Sequence, residues 1–145
     1  MNPDIRWKQR FQNFRRAFSL LREPFEEKEL SQFSRLEMEG IVNRFEHAFE
    51  LGWKVFYDYL KYIGIFVKHA SPRKVIKECA AVGIFDEAGI NGDTYLEMMF
   101  SRNSLSHSYN FDRSYEIFNK IKNAYLNELE KEYMYFMQKE LSADD

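Results

Sequence analysis

Large apolar side chains recur at steps of three and four residues along most of this sequence. The clearest case is an N-terminal stripe that consists of Trp7, Phe11, Phe14, Phe18 and Leu21. Because an α-helix has about 3.6 residues per turn, this spacing places the whole stripe on one helical face. We therefore predict a first helix from Asp4 to Glu23, which Pro24 ends because proline has no backbone N–H.

A second stripe predicts a longer helix that begins at Ser34. Ser34 and Glu37 have the spacing of a capping box, in which each side chain binds the backbone N–H of the other residue. The stripe that follows consists of Met38, Ile41, Phe45, Ala48, Gly52, Phe56 and Leu60. A helix of this length suits a helical bundle.

Two shorter helices follow along the chain. Ser71 and Pro72 are typical of a helix start, because serine caps free N–H groups and proline fits the first turn. Gly83 is a natural stop for this helix. Thr94 and Glu97 repeat the capping-box spacing after a turn-rich stretch and predict the start of the next helix.

A last stripe begins after Asp112 and consists of Phe118, Ile121, Tyr125, Leu129, Tyr133 and Phe136. No stretch alternates polar and apolar residues over the length of a strand. The sequence therefore predicts an all-α fold, an antiparallel up-and-down four-helix bundle with an additional short helix. With 145 residues, we expect a single helical domain over residues 1–145.

Composition narrows the choice of partners. The net charge is −2, so no global field favours nucleic acid or a membrane surface. No apolar run reaches the length of a membrane span, and the first residues lack the apolar core of a signal peptide, so we expect a cytoplasmic protein. Aromatic residues make up 17%, more than a small bundle easily hides, which favours a homodimer or a stable partner chain.

Several kinds of catalytic site have no support in the sequence. No glutamate stands three residues before any of the three histidines, as a di-iron bundle would require. The phosphate-binding glycine loops, the serine-hydrolase elbow and the zinc motif of metalloproteases are absent as well. We therefore expect no metal site and no cofactor in this chain.

One segment, Ser101–Asn110, is rich in chemically active side chains. Arg102 offers a forked donor for a phosphate, and His107 titrates near neutral pH, which together suffice for cleavage of RNA without a metal. In an unbroken helix Arg102 and Tyr109 share a face, whereas Arg102 and His107 converge only if the helix bends near Ser104 or if two chains share a cleft. The alternative is a hydrated helix end with a capping histidine.

Three blocks of the sequence resemble a known family. The pattern Arg102-x4-His107-x-Tyr109, with a polar Asn103 after the arginine, resembles the signature of HEPN domains, specifically of toxins encoded beside minimal nucleotidyltransferases. Residues 44–54, RFEHAFELGWK, are similar to the family's Arg-Phe-Glu and Glu-Leu-x-Trp-Lys segment, and residues 71–78, SPRKVIKE, to its Ser-Pro-Arg block. The family is also named nucleotidyltransferase substrate-binding protein.

The resemblance implies two alternative functions. In the first, the chain is a ribonuclease toxin that acts as a dimer: Arg102 binds the scissile phosphate, Asn103 orients the site, and His107 moves the proton. Its partner nucleotidyltransferase, which would use ATP and magnesium, transfers AMP to Tyr109 and so neutralises the toxin. In the second, the chain is a non-catalytic subunit that binds the acceptor, as in the helical domain of kanamycin nucleotidyltransferase.

The resemblance also implies an assembly and one departure. The assembly is a homodimer or a heterotetramer with a nucleotidyltransferase encoded nearby, and its ligand is RNA or a nucleotide-type molecule. The departure lies before the arginine, where the family often has an acidic residue and this chain has Ser101. The lack of an acidic residue before Arg102 bears on the strength of the nuclease site rather than on the fold.

Overall fold

The computed structural model describes residues 2–105 and 110–143. Helices make up nearly all of these residues, and no strand occurs among them, so the expected all-α class is confirmed. The helices are α1 (Pro3–Glu27), α2 (Arg35–Tyr62), α3 (Pro72–Ala81), α4 (Ile84–Ala88), α5 (Gly92–Ser104), α6 (Phe111–Lys120) and α7 (Leu126–Ala143). A 3-10 turn, Leu30–Gln32, precedes α2, and a π-helical segment, Ile121–Tyr125, joins α6 to α7.

The predicted end of α1 is wrong, because the helix continues through Pro24 to Glu27. A proline inside a helix leaves the carbonyl four residues earlier without its N–H donor. That carbonyl belongs to Leu20, and the Arg44 side chain donates a hydrogen bond to it at 2.6 Å. A side chain from α2 thus replaces the missing backbone donor, which helps the helix to pass the proline.

The predicted starts of α2 and α3 are confirmed. Ser34 and Glu37 form the reciprocal capping box, with hydrogen bonds of 3.1 and 2.9 Å. Ser71 accepts a hydrogen bond from the Lys74 N–H at 3.3 Å, with Pro72 as the first helical residue. Just after α3, Gly83 has a φ of 87°, a left-handed conformation that favours glycine.

The predicted start of α5 is wrong by three residues, because the helix begins earlier in the chain. Asn91 is the N-cap, and its side chain accepts a hydrogen bond from the Thr94 N–H at 3.0 Å. Thr94 therefore lies in the first turn rather than at the cap. Asparagine and threonine both act as caps, so spacing alone did not separate them. The short α4 was not predicted either, because five residues carry too little periodicity.

The last helix starts close to its predicted position, at Phe111 with Asn110 as its cap. Its pattern is then interrupted by the π-helical segment, which the apolar spacing did not reveal. Such segments insert one extra residue into a helical turn and occur often near functional sites. Tyr125 closes this segment and points into the core.

Contacts between the helices define their relative directions. At one end of the α1–α2 pair Arg10 binds Asp58 at 3.0 Å, and at the other end Arg44 binds Leu20, so these helices run antiparallel. Gln12 and Arg22 of α1 reach Glu140 and Glu130 of α7, which is therefore also antiparallel to α1.

Helix α5 lies on the other side of the core. Tyr95 near its start binds Glu132 of α7, and Ser101 near its end binds Tyr125, so α5 runs antiparallel to the last helix. The end of α5, at Arg102, is thereby placed beside the middle of α2.

The aromatic rings of the described residues are mostly buried, and a few of them are exposed. Most of the rings are buried within one chain, where they stack on one another between α1, α2, α5 and α7. The exposed rings in this part of the chain are Tyr62, Phe66, Phe100 and Tyr115. These four rings are the exposed aromatic side chains of the described residues that a dimer interface could cover. None of the described helices combines the length and the hydrophobicity of a membrane-spanning segment.

Candidate functional site

Arg102 lies in the last turn of α5 and faces α2. Its Nη1 forms a close ion pair with Glu50, and its Nε donates a hydrogen bond to Asn103 at 3.1 Å. The guanidinium carbon lies 5.3 Å from the centre of the Phe49 ring, within cation–π range. The side chain is 24% exposed, so the guanidinium is held in place and still open to a ligand.

Glu50 is the centre of this cluster. Its carboxylate also accepts a hydrogen bond from the Trp53 indole at 3.2 Å and pairs with Lys54 at 3.1 Å. Burial alone would raise its pKa, but the hydrogen bonds from Lys54, Trp53 and Arg102 outweigh burial and lower the pKa. Glu50 is therefore ionised at neutral pH.

Glu46 lies one helical turn before Glu50 on α2 and behaves differently. It is half-buried, and partial burial raises its pKa, which the positive charge of Arg102 offsets only in part. No hydrogen bond or ion pair joins its carboxylate to another described residue. Two carboxylates on one face of α2 are thus pushed in opposite directions.

A second arginine ties the end of α5 to the start of α6. The Arg113 Nε donates a hydrogen bond to the Ser104 hydroxyl at 2.9 Å, and that hydroxyl donates to the Ser101 carbonyl at 2.7 Å. These contacts hold the two helix ends on either side of residues 106–109 together. Arg102 and Arg113 thus place two positive charges near the C-terminal end of α5.

Ser101, which stands where the family often has an acid, faces the core. It is 1% exposed and shares a hydrogen bond of 2.7 Å with the Tyr125 hydroxyl. An acid at this position would therefore lie beside Tyr125 rather than beside Arg102. The carboxylate that faces Arg102 comes from Glu50 of α2 instead.

Only part of the site predicted from the sequence can be compared with the structure. Arg102 and Asn103 lie at the end of α5 as expected, and Asn103 is exposed. His107 and Tyr109 lie outside the described residues. The same-face relation of Arg102 and Tyr109 applies only to an unbroken helix, and α5 ends at Ser104, the residue near which the sequence allowed a bend.

The sequence interpretation missed Glu46 and Glu50 as members of the site. The signal was present, since two acids four residues apart flank buried aromatic positions within residues 44–54. Spacing within one helix could not show that Arg102, 52 positions later, would reach this face. No cluster that could hold a metal ion occurs among residues 2–105 and 110–143.

Residues 9–138 match the family described as nucleotidyltransferase substrate binding protein like. The chain belongs to this family. The match runs from α1 into α7 and includes the α2 carboxylates as well as the whole segment 101–110. A comparison of this family member with curated proteins gave no match.

Proposed function

We propose that this chain is the helical partner of a separate minimal nucleotidyltransferase and acts as a HEPN-type ribonuclease toxin. The observation that carries the proposal is the placement of Arg102, which Glu50, Asn103 and Phe49 hold at a partly open helix end. A preorganised guanidinium binds a phosphate without reorganising in the transition state. The family membership supports the nucleotidyltransferase partner.

Each site residue has a defined chemical task in this proposal. Arg102 binds the non-bridging oxygens of the scissile phosphate, and its contacts to described residues use Nη1 and Nε. Asn103 fixes the guanidinium through its side-chain oxygen. His107 transfers a proton, because an imidazole exchanges protons near neutral pH. None of these steps requires a metal ion or a cofactor bound to this chain.

The partner would silence the site by modification. We propose that the nucleotidyltransferase, using ATP and magnesium, transfers AMP to the Tyr109 hydroxyl, and that the added phosphate competes with RNA for Arg102. Incubation of the complex with ATP and magnesium, followed by peptide mass spectrometry, tests this step. Adenylylation of the wild type that is lost in Tyr109→Phe supports it, and modification that persists in the variant contradicts it.

The family description favours a second function. In this alternative the chain is a non-catalytic subunit that binds the acceptor of a two-component nucleotidyltransferase, and Arg102 holds a phosphate or carboxylate of that acceptor. The two functions differ in whether a phosphodiester is broken.

The assembly follows from the same proposal. The alternating directions of α1, α2, α5 and the last helix support an up-and-down bundle. We propose that two such bundles form a homodimer in the cytoplasm, alone or within a heterotetramer with the partner. Sedimentation at micromolar concentration tests the dimer, and a monomer would contradict it.

Cleavage of a labelled single-stranded RNA in the presence of EDTA tests the proposed activity. Arg102→Lys should lose most of the activity, because lysine lacks the bidentate fork. Arg22→Lys on α1, where the arginine pairs with Glu26 far along the chain from the site, is the matched control and should retain it. Binding of RNA or a nucleotide without cleavage by the wild type would favour the acceptor-binding subunit.

A further inference from the structure

Two carboxylates of α2 flank the same arginine and are differently engaged. Glu50 receives Arg102, Trp53 and Lys54, so both of its oxygens are in use. Glu46, four residues earlier and therefore on the same helical face, has no such partner among the described residues. A carboxylate without a partner that stays half-buried beside a phosphate-binding arginine needs an explanation.

Packing alone does not explain Glu46. The buried carboxylates of the described chain each have a partner: Asp58 pairs with Arg10 at 3.0 Å, Glu128 pairs with Lys131 at 3.0 Å, and Glu132 accepts a hydrogen bond from Tyr95 at 2.6 Å. Burying a carboxylate without a partner costs free energy, and such a cost is common at functional sites. Glu46 lies four residues before Glu50 on the face of α2 that Arg102 meets, and from there its carboxylate can reach toward a ligand of Arg102.

Its electrostatic setting suits proton transfer. Partial burial raises the pKa of Glu46 above the usual value of 4.5, whereas the pKa of Glu50 is lowered. A base works best when its pKa lies closer to the operating pH. Charged groups at this end of the described chain also include Arg102 on α5, Arg113 on α6, and Glu50 and Lys54 on α2 itself.

We propose that Glu46 is a catalytic proton acceptor for cleavage of RNA, a role that rests on the ribonuclease function proposed above. The Glu46 carboxylate takes the proton of a ribose 2′-hydroxyl while the 2′-oxygen attacks the phosphorus. The bond from phosphorus to the 5′-oxygen breaks, and the leaving oxygen receives a proton from the His107 imidazolium. The products are a 2′,3′-cyclic phosphate and a free 5′-hydroxyl, and water restores both side chains.

In this proposal the two glutamates have different roles. Glu50 is a positioning residue, since its oxygens are occupied by Arg102, Trp53 and Lys54 and its charge holds the guanidinium. Glu46, whose carboxylate has no hydrogen bond or ion pair to a described residue, acts on the substrate. Because the nucleophile is the 2′-hydroxyl, the proposal restricts the substrate to RNA and excludes DNA.

The test compares Glu46→Gln with wild type over a range of pH in EDTA, with Glu26→Gln on α1 as the matched control. Glutamine keeps the shape of the side chain but cannot accept the proton. We expect a loss of about 100-fold or more in the single-turnover rate at neutral pH. We also expect the rise of the wild-type rate with pH on the acidic side to disappear in Glu46→Gln and to persist in the control.

The outcomes separate this inference from the proposed function. Wild-type cleavage with a Glu46→Gln rate within threefold of wild type and an unchanged acidic limb would overturn the role of Glu46 and leave the ribonuclease intact. Absence of wild-type cleavage would overturn both. If circular dichroism shows that Glu46→Gln does not fold, Glu46→Asp should retain the acidic limb at a reduced rate, and loss of that limb would contradict the proposal. An RNA with 2′-deoxyribose at the cleaved position should resist cleavage, and its cleavage would also overturn the proposal.

Discussion

The Arg102 cluster and the pair formed by Glu132 and Tyr95 use the same acidic group in opposite ways. Glu50 in the cluster is 36% exposed and surrounded by cations, and its pKa is lowered. Glu132 is fully buried, its Oε1 accepts a hydrogen bond from the Tyr95 hydroxyl at 2.6 Å, and its Oε2 has no hydrogen-bond partner among the described residues. Burial raises the pKa of Glu132 well above its usual value.

The difference between Glu50 and Glu132 shows how a carboxyl group at a candidate site differs from one that only supports the fold. A charged carboxylate at a partly open helix end holds an arginine ready for an anion. A carboxyl group buried in the core accepts the hydrogen bond of the Tyr95 hydroxyl and links α5 to α7, and it offers nothing to a ligand. The same residue type is therefore informative about function only together with its burial and partners.

Gly52 gives the largest expected effect, because the buried pair leaves no room beside it. A Cβ on Gly52 would lie 2.9 Å from the Tyr95 hydroxyl and 3.0 Å from Oε1 of Glu132. Gly52→Ala should lower the free energy of unfolding by about 1–3 kcal/mol despite the better helix propensity of alanine. Gly40→Ala on the same helix, where a Cβ meets nothing within 4 Å, should raise it by about 0.5–1 kcal/mol. Urea titrations measure both, and equal effects would contradict tight packing at Gly52.

Glu132 predicts a dependence of stability on pH with a definite sign. Its folded pKa lies above the usual 4.5, so its contribution to stability is complete below that value and is lost as the pH rises through the folded pKa. Glu132→Gln should remove this loss, so the variant should gain stability relative to wild type as the pH rises from about 5. A constant difference across that range, measured by urea unfolding, would mean that Glu132 is ionised in the fold.

Substitution of Glu50 should weaken RNA binding and leave the free energy of unfolding nearly unchanged, whereas substitution of Glu132 should change stability. Glu50→Gln removes the charge that holds Arg102 and should weaken RNA binding about tenfold. The free energy of unfolding should change by less than about 0.5 kcal/mol, because the pair is partly exposed. Titration of a non-cleavable RNA and urea unfolding, with Glu26→Gln as the control, measure both. Loss of stability with unchanged RNA binding would place Glu50 with Glu132 as a structural residue.

We expect the smallest effect from substitution of Arg44, an arginine whose contact with Leu20 supports the fold rather than the candidate site. Arg44→Ala should lower the free energy of unfolding by about 1 kcal/mol, because the Leu20 carbonyl loses its donor. In a Pro24→Ala background, a backbone N–H is available to that carbonyl, so the same change should cost less. A double-mutant cycle measures this coupling, and additivity would contradict it.

The sequence predicted those features that depend on residues close together along the chain. The apolar stripes and the caps Ser34 and Ser71 predicted the helices, because periodicity and capping act within a few residues. The passage of α1 through Pro24 was missed because it depends on Arg44, which reaches it from another helix. The carboxylates beside Arg102 were missed for the same reason, since only the packing of α5 on α2 brings them together.

We propose that this chain itself breaks RNA at the end of α5. The most direct measurement is single-turnover cleavage of RNA by wild type and His107→Ala in EDTA, with RNA binding recorded in parallel. We expect His107→Ala to bind RNA as wild type does and to lose cleavage by at least about 100-fold. Equal cleavage by the two proteins, or binding without cleavage by both, would contradict it.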